Sequence, residues 1–333
     1  MTMAPFQVVR PPSVEAAVRA LAEHGPEAMI IAGGTDVVPN LQMKLFSPRV
    51  LVDLKAMRDL STIKFSSREG LTIGAMATLT HVLESAAVRQ QFPVLASAVG
   101  TIAGPLQRNM GTIGGNLCLE TRCRWYNQSY MWRTALGGCI KKDGDICHVA
   151  PGGDFCWAAW SGDSAAAFLA LDAELEIASP RGARRIPICD FYRNDGNDRI
   201  ALSHDELLTA VHVPPKMAGR RGLYHKLRIR DSIDYPLAGV AVTMDVDPQG
   251  ICRDARVALT AVNPAPLLVA QASEWLVGQK MSAELIERVA HAAIQTGKPL
   301  TTSASTPVYR REMVRLFTRR ALEESWRRQD GSH

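Results

Sequence analysis

The spacing of apolar positions changes several times in the first fifty residues, and each change marks an element. Residues 6–9 read as a short strand that Pro11-Pro12 stop. Ser13 stands where a helix cap belongs. After it Val14, Ala17, Val18 and Leu21 recur at helical spacing, and Gly25 closes the run. Met29, Ile30, Ile31 and Ala32 form an unbroken apolar run, as in a buried strand, and residues 50–54 form another. Strand, helix, strand, strand predicts a small βαβ unit ending near residue 56.

The pattern then resumes. A strand is expected at 71–74, a helix from about Thr78, and a helix over 88–105 broken at Gly104-Pro105. A helix at 165–171 and strands at 174–178 and 185–188 follow. Pro214-Pro215 and the run 219–222 read as a linker. Beyond it lie strands at 224–229, 237–245 and 256–261, then helices near 268–277, 282–296 and 307–327. Strands first and helices after predict a separate α+β domain. The division expected is residues 1–56, residues 57–216 and residues 222–330.

Composition narrows the class. The chain has 333 residues, 47% of them apolar, enough for two or three buried cores. Its net charge of +5 comes with no basic stripe interleaved with aromatics, so nucleic acid is not an expected partner. No run of about 18 apolar residues is present to span a membrane. The first residues lack a basic segment followed by an apolar one. A soluble, cytoplasmic protein is the expectation.

Two glycine-rich turns are the first candidates for chemistry. Ala32-Gly33-Gly34-Thr35-Asp36 follows a strand and places two residues without Cβ together, so backbone amides can approach an anion closely. Thr112-Ile113-Gly114-Gly115-Asn116 repeats that equipment about 80 residues later. Neither matches a dinucleotide fingerprint or a P-loop. Each alone reads as a tight structural turn; together they suit one diphosphate gripped between two subdomains.

The second candidate is a crowd of thiols. Five of the seven cysteines fall between Cys118 and Cys156. In a cytosolic chain such thiols are more often metal ligands than disulfides. Fifteen residues separate Cys123 from Cys139, seven separate Cys139 from Cys147, and eight separate Cys147 from Cys156. These gaps are unlike the paired spacing of zinc ribbons or bacterial ferredoxins, which leaves zinc possible and a cluster held from several turns preferred. Cys118 is kept as a buried thiol, His148 as a histidine satisfied by a hydrogen bond, and Cys189 and Cys252 as core residues. Four of the six tryptophans lie in the same stretch. They read as a local core, as a dry shell around a cluster, or as both. Arg311, Arg315, Arg319, Arg320, Arg327 and Arg328 form a solvated face of the last helix or, in a minority reading, a docking surface.

These motifs, with Gly162-Asp163 and the run 224–231 (Tyr-His-Lys-Leu-Arg-Ile-Arg-Asp), resemble over nearly the whole chain the FAD-binding medium subunits of the molybdenum hydroxylase (xanthine dehydrogenase) family. The cysteine stretch is most similar to the branch represented by the 4-hydroxybenzoyl-CoA reductase β subunit. The resemblance implies a two-part FAD-binding domain of the PCMH type with an iron–sulfur loop at about 118–160. An α+β domain of the carbon monoxide dehydrogenase flavoprotein type would follow.

It further implies that residues 30–37 (Ile30, Ile31, Ala32, Gly33, Gly34, Thr35, Asp36, Val37) and Thr112, Ile113, Gly114, Gly115 and Asn116 hold the FAD pyrophosphate. Ile102 and Leu208 would pack against the cofactor, Asp163 would bond its polar groups, and Lys226 would sit near the isoalloxazine ring. Cys123, Cys139, Cys147 and Cys156 would ligate a [4Fe-4S] cluster. No residue is assigned a catalytic role. Read alone, Lys226 is a solvated strand lysine, Leu208 a core leucine and Asp163 a helix cap.

The implied role is an electron-transfer subunit. Ferredoxin would supply electrons through the cluster and FAD to two [2Fe-2S] clusters on a small subunit and a molybdopterin on a large one. The assembly would be a dimer of heterotrimers (a heterohexamer) that dehydroxylates 4-hydroxybenzoyl-CoA in aromatic compound degradation. One alternative is an aldehyde or heterocycle oxidoreductase of the same family, some of whose FAD subunits also carry a cluster. Another, of a different class, is a non-redox scaffold with structural zinc.

Overall fold

The computed structural model describes residues 3–327, so Arg328 lies outside the described residues. The βαβ unit forms a three-stranded parallel sheet in the order β1 (Gln7–Val9), β3 (Val50–Asp53), β2 (Ala28–Ile31). Val52 pairs with Val9 on one side and Ile30 on the other. Helix Val14–His24 crosses between the first two strands and buries Ala17, Val18 and Leu21; the Ser13 hydroxyl accepts from the Ala16 amide at 3.2 Å.

The second sheet is antiparallel, in the order β4 (Ile63–Ser66), β5 (Gly70–Gly74), β8 (Leu207–Val213), β6 (Glu174–Ser179), β7 (Gly182–Pro187). The helix expected over 88–105 is divided into Ala86–Gln91 and Pro93–Gly100. Proline has no amide hydrogen to give a preceding turn, so Pro93 starts a new helix instead of extending the old one. Pro105–Met110 is a further short helix. The large central core joins helices Ala86–Gln91 and Pro93–Gly100 to helix Asp163–Ala170 and to the sheet, with Trp160, Phe92, Phe168 and Phe191 fully buried.

The third sheet is antiparallel, ordered β12 (Leu267–Leu268), β11 (Cys252–Thr260), β10 (Ala238–Val246), β9 (Arg221–Leu227). Helices Ala270–Leu276, Ala283–Thr296 and Pro307–Arg327 share its core. In the last helix Arg311 and Arg320 are exposed, and Arg315 pairs with Glu287 and Glu312. Arg319 and Arg327 both approach Glu323. This is the solvated-face reading. Arg310 differs: its buried guanidinium donates to the carbonyls of Leu237 (2.7 Å), Leu300 (2.8 Å) and Ala261. Burial lowers its pKa to about 10.

The cysteine stretch leaves the central core through a narrow neck. The amides of Arg122 and Ala159 each donate to the other's carbonyl, at 2.8 and 2.7 Å. Between them lies one short helix, Tyr130–Ala135. Leu45, Tyr126, Ala158, Cys123 and Cys156 make a separate small core. Buried Arg133 ties the stretch to the carbonyls of Met43 (3.2 Å) and Lys44 (2.9 Å). The aromatics are shared out differently than expected. Trp125 stacks near Trp132 and His148, but Tyr130 and Trp132 face solvent, and Trp160 belongs to the main core.

Candidate functional site

β2 ends in the turn Gly33-Gly34. Gly34 has φ +77°, a left-handed conformation that costs a residue with Cβ about 1–2 kcal/mol. Gly33 is required for another reason: a Cβ there would stand 1.9 Å from the Met110 carbonyl oxygen. The first glycine turn therefore touches the chain just before the second. Among the described residues, the amides of Gly34, Thr35 and Asp36 have no hydrogen-bond partner, which leaves them free for an acceptor.

The second glycine segment is built otherwise. It is the short helix Ile113–Leu117, capped by the Thr112 hydroxyl, which accepts from the Gly115 amide at 3.1 Å. The amides of Ile113, Gly114 and Asn116 donate to Ala77, Ala75 and Thr112. The amides of Ile113 to Asn116 are thus engaged within the protein, and among the described residues that of Thr112 has no partner. A Cβ at Gly114 would meet the Ala75 Cβ at 2.7 Å, so this glycine serves close packing on the strand end.

A cleft of about 520 Å³ opens between these segments. Ile30, Ala32, Gly33, Gly34, Thr35, Asp36 and Val37 line one wall, and Thr112, Gly114, Gly115 and Asn116 another. Ile102, Leu208 and Asp163 also line it, whereas Ile31, Ile113 and Lys226 do not. Lys226 stands behind the wall. Its ammonium is 3.0 Å from Asp163 Oδ2, donates to the Thr101 carbonyl at 3.0 Å, and is 2% exposed. It is neither a solvated lysine nor a free cation in the cleft. Asp163 Oδ1 accepts from the Tyr224 hydroxyl at 2.6 Å, so both carboxylate oxygens are engaged; its side chain caps no helix. Burial pushes the Asp163 carboxyl upward, against the pull of Lys226 and Tyr224.

Tyr235, Arg199, Leu202 and Leu207 are cleft residues that carried no earlier assignment. Tyr235 and Asp36 line the rim; both bond Arg122, whose guanidinium lies 4.3 Å from the Tyr235 ring centroid. Arg199 and Cys118 line the opposite side with Leu202 and Leu207. Tyr235 follows closely on the run 224–231, which could have flagged it. Arg199 sits in a polar, aperiodic segment that gave no signal. Cys118 is a cleft residue and only half-buried, not the buried thiol expected; the desolvation it does undergo pushes it up to about 12.

Cys123, Cys139, Cys147 and Cys156 are all buried, free of disulfides, and wall one cavity together with Tyr126, Lys141 and His148. Tight glycine turns bring them there: Gly138 has φ +75°, and a Cβ on it would stand 2.5 Å from the Asp143 carbonyl oxygen. The cavity is about 10 Å³, room for one water at most. Burial pushes Cys123 up to about 11 and Cys156 up to about 12. His148 Nε2 lies 2.6 Å from the Gly138 carbonyl oxygen, the hydrogen-bonded reading. Cys252 is a core residue, but Cys189 is exposed in helix Ile188–Phe191, contrary to expectation. Among the described residues no three His, Cys, Asp or Glu side chains are placed to share one metal ion. The four thiols are a donor set of the right chemistry for a cluster, around a cavity that as it stands has room for neither a cluster nor one shared ion.

Residues 4–216 match the family model described as the FAD binding domain in molybdopterin dehydrogenase. Residues 223–325 match the CO dehydrogenase flavoprotein C-terminal domain. The chain belongs to this family of FAD-binding subunits. It is therefore part of an oxidoreductase, which overturns the reading as a non-redox scaffold. The chain is 28% identical over 310 residues to the xanthine dehydrogenase FAD-binding subunit of Escherichia coli O157:H7, covering 93% of this chain and 92% of that one. It is 33% identical over 264 residues to the aldehyde oxidoreductase FAD-binding subunit PaoB of Escherichia coli K12, covering 77% and 81%. A solved structure of CO dehydrogenase from Oligotropha carboxidovorans superposes with a TM-score of 0.82 at 28% identity, over 99% of this chain and 100% of that chain. The expected architecture, a two-part FAD-binding domain followed by a CO dehydrogenase flavoprotein-type domain, agrees with these matches. No helix among the described residues is long and apolar enough to cross a membrane.

Proposed function

We propose that this chain is an electron-relay subunit holding FAD in the cleft and a [4Fe-4S] cluster on Cys123, Cys139, Cys147 and Cys156. The observation that carries the reading is four buried thiols facing one cavity, joined by a short neck to the wall of a flavin-family cleft. When bound, FAD would exchange electrons in pairs or singly, and the cluster would exchange them singly. The chain's own part is to hold and insulate. The amides of Gly34, Thr35 and Asp36, without a partner among the described residues, would be available to a diphosphate, Ile102 and Leu208 offer apolar walls, and the Asp163–Lys226 pair fixes the wall behind them.

Partners follow from the same reading: a large subunit with molybdopterin and a small one with two [2Fe-2S] clusters, assembled as a heterohexamer. The resemblance of the cysteine stretch to the 4-hydroxybenzoyl-CoA reductase branch favours reduction of that substrate with electrons from ferredoxin. The match to the aldehyde oxidoreductase subunit favours a second reading, oxidation of an aldehyde or heterocycle with electrons flowing outward. Anaerobic purification of the native complex tests both levels. One flavin and about four irons on this chain support the relay; a flavoprotein chain without iron rejects the cluster. Assay of the complex with 4-hydroxybenzoyl-CoA and reduced ferredoxin, against aldehydes with an acceptor dye, separates the two reactions.

A further inference from the structure

A row of charges, two of them buried and the third half-buried, joins the two sites, and neither site needs it as a donor. Lys141 Nζ stands in the wall of the cysteine cavity, 5% exposed, and 2.6 Å from Glu120 Oε1. It also donates to Thr121 Oγ1 at 2.9 Å and to the Gly196 carbonyl. Its ammonium lies 5.0 Å from the Tyr126 ring centroid. The other oxygen of Glu120 is 3.6 Å from Arg199 Nη1, and both Glu120 and Arg199 line the cofactor cleft. Arg199 is held in turn by the carbonyls of Leu119 (3.0 Å) and Cys118 (3.2 Å). One carboxylate thus serves a cation that faces the thiols and a cation that faces the cleft.

Lysine rarely gives up water unless an anion compensates it. Here two cations share one carboxylate, so the row carries a surplus positive charge. Among the residues of the cavity wall, the four cysteines are the groups that could become anions near neutral pH. Thiolates there would supply the missing anion.

We infer that Lys141 and Glu120 set the electrostatic potential at the cysteine site in opposite directions and link it to the cleft. This rests on the reading that the cysteines hold a cluster. An electron arriving at the four-thiolate site adds one negative charge in a medium of low polarity, where the Lys141 ammonium stabilises it. Glu120 opposes that effect with its own charge and holds the ammonium toward the cleft. Lys141 is a positioning and tuning residue, not a ligand.

The test is a dithionite titration of the anaerobic complex followed by electron paramagnetic resonance, with iron and flavin measured on each variant. Lys141→Gln is expected to shift the midpoint potential of the cysteine site to more negative values. Glu120→Gln is expected to shift it to more positive values, and Lys141→Arg to leave it near wild type. Opposite signs are what a merely structural role does not produce. Unmoved potentials, or shifts of one sign with iron retained, overturn the inference and leave the cluster reading intact. A wild-type chain without iron overturns both. If Lys141→Gln fails to retain iron, Glu120→Gln decides alone, and a negative or absent shift rejects the inference.

Discussion

The cleft and the cysteine cavity are linked by the Glu120–Lys141 ion pair, yet opposite means build them. The cleft is shaped by backbone: a left-handed glycine, a second glycine pressed on the Met110 carbonyl, and strand ends from two sheets. It stands open at about 520 Å³. The cysteine cavity is shaped by side chains on a loop with its own small core, and it is closed down to about 10 Å³. Burial keeps at least Cys123 and Cys156 protonated at neutral pH. The fold therefore preorganises the cleft, whereas the cluster proposed at the cysteines would have to displace thiol protons and would need more room than the cavity now has.

The largest expected effect tests whether the two sites are separable. Cys139→Ser removes one of four donors and should lower iron to a small fraction of the wild-type content while flavin stays at full occupancy. Flavin loss with iron retained would break the comparison. Asp163→Leu comes next, because it strands the buried Lys226 ammonium; a cost of about 3–5 kcal/mol is expected. It should appear as a lower denaturant midpoint for the whole chain, since the pair lies where helix Asp163–Ala170 meets β9. Unchanged stability would show that the wall is less rigid than its packing implies. Gly34→Val is the mirror of the cysteine change. The left-handed backbone costs about 1–2 kcal/mol, so flavin affinity should fall about tenfold or more with iron kept.

Much of this could be read before the fold was known, and the failures have physical causes. The βαβ unit was legible because Ser13, Gly25 and the 3.6-residue spacing of Val14, Ala17, Val18 and Leu21 agree. Both glycine segments were legible as cleft residues. The commitment of the second one's amides was not, because the acceptors at Ala75 and Ala77 are distant in sequence. β8 (Leu207–Val213), in the middle of its sheet, was missed as a strand; its long apolar run carries no period-2 alternation to distinguish it. Lys226 looked solvated because the strand pattern does not reveal that Asp163, 63 residues earlier, lies beside it. Arg310 drew no reading among the arginines of the last helix, because the three carbonyls it serves come from other elements.

The smallest expected effect concerns Glu120, the one carboxylate that serves both walls. Burial pushes it upward, but the charges of Arg199 and Lys141 outweigh burial and hold it below the usual carboxylate range. Its stabilisation is therefore complete above the unfolded value of about 4.3 and is lost as pH falls through the depressed folded value; each unit of depression is worth about 1.4 kcal/mol. Protonation leaves Lys141 and Arg199 without their shared anion, so the segments around 119–123 and 139–142 should loosen under acid. Hydrogen exchange of those amides should rise, relative to its intrinsic rate, between pH 5 and the acid limit of folding. Glu120→Gln, already lacking the charge, should show a flatter profile over the same range. Superimposable profiles would show that the neck and the loop packing, not the shared carboxylate, hold the cysteine cavity against the cleft.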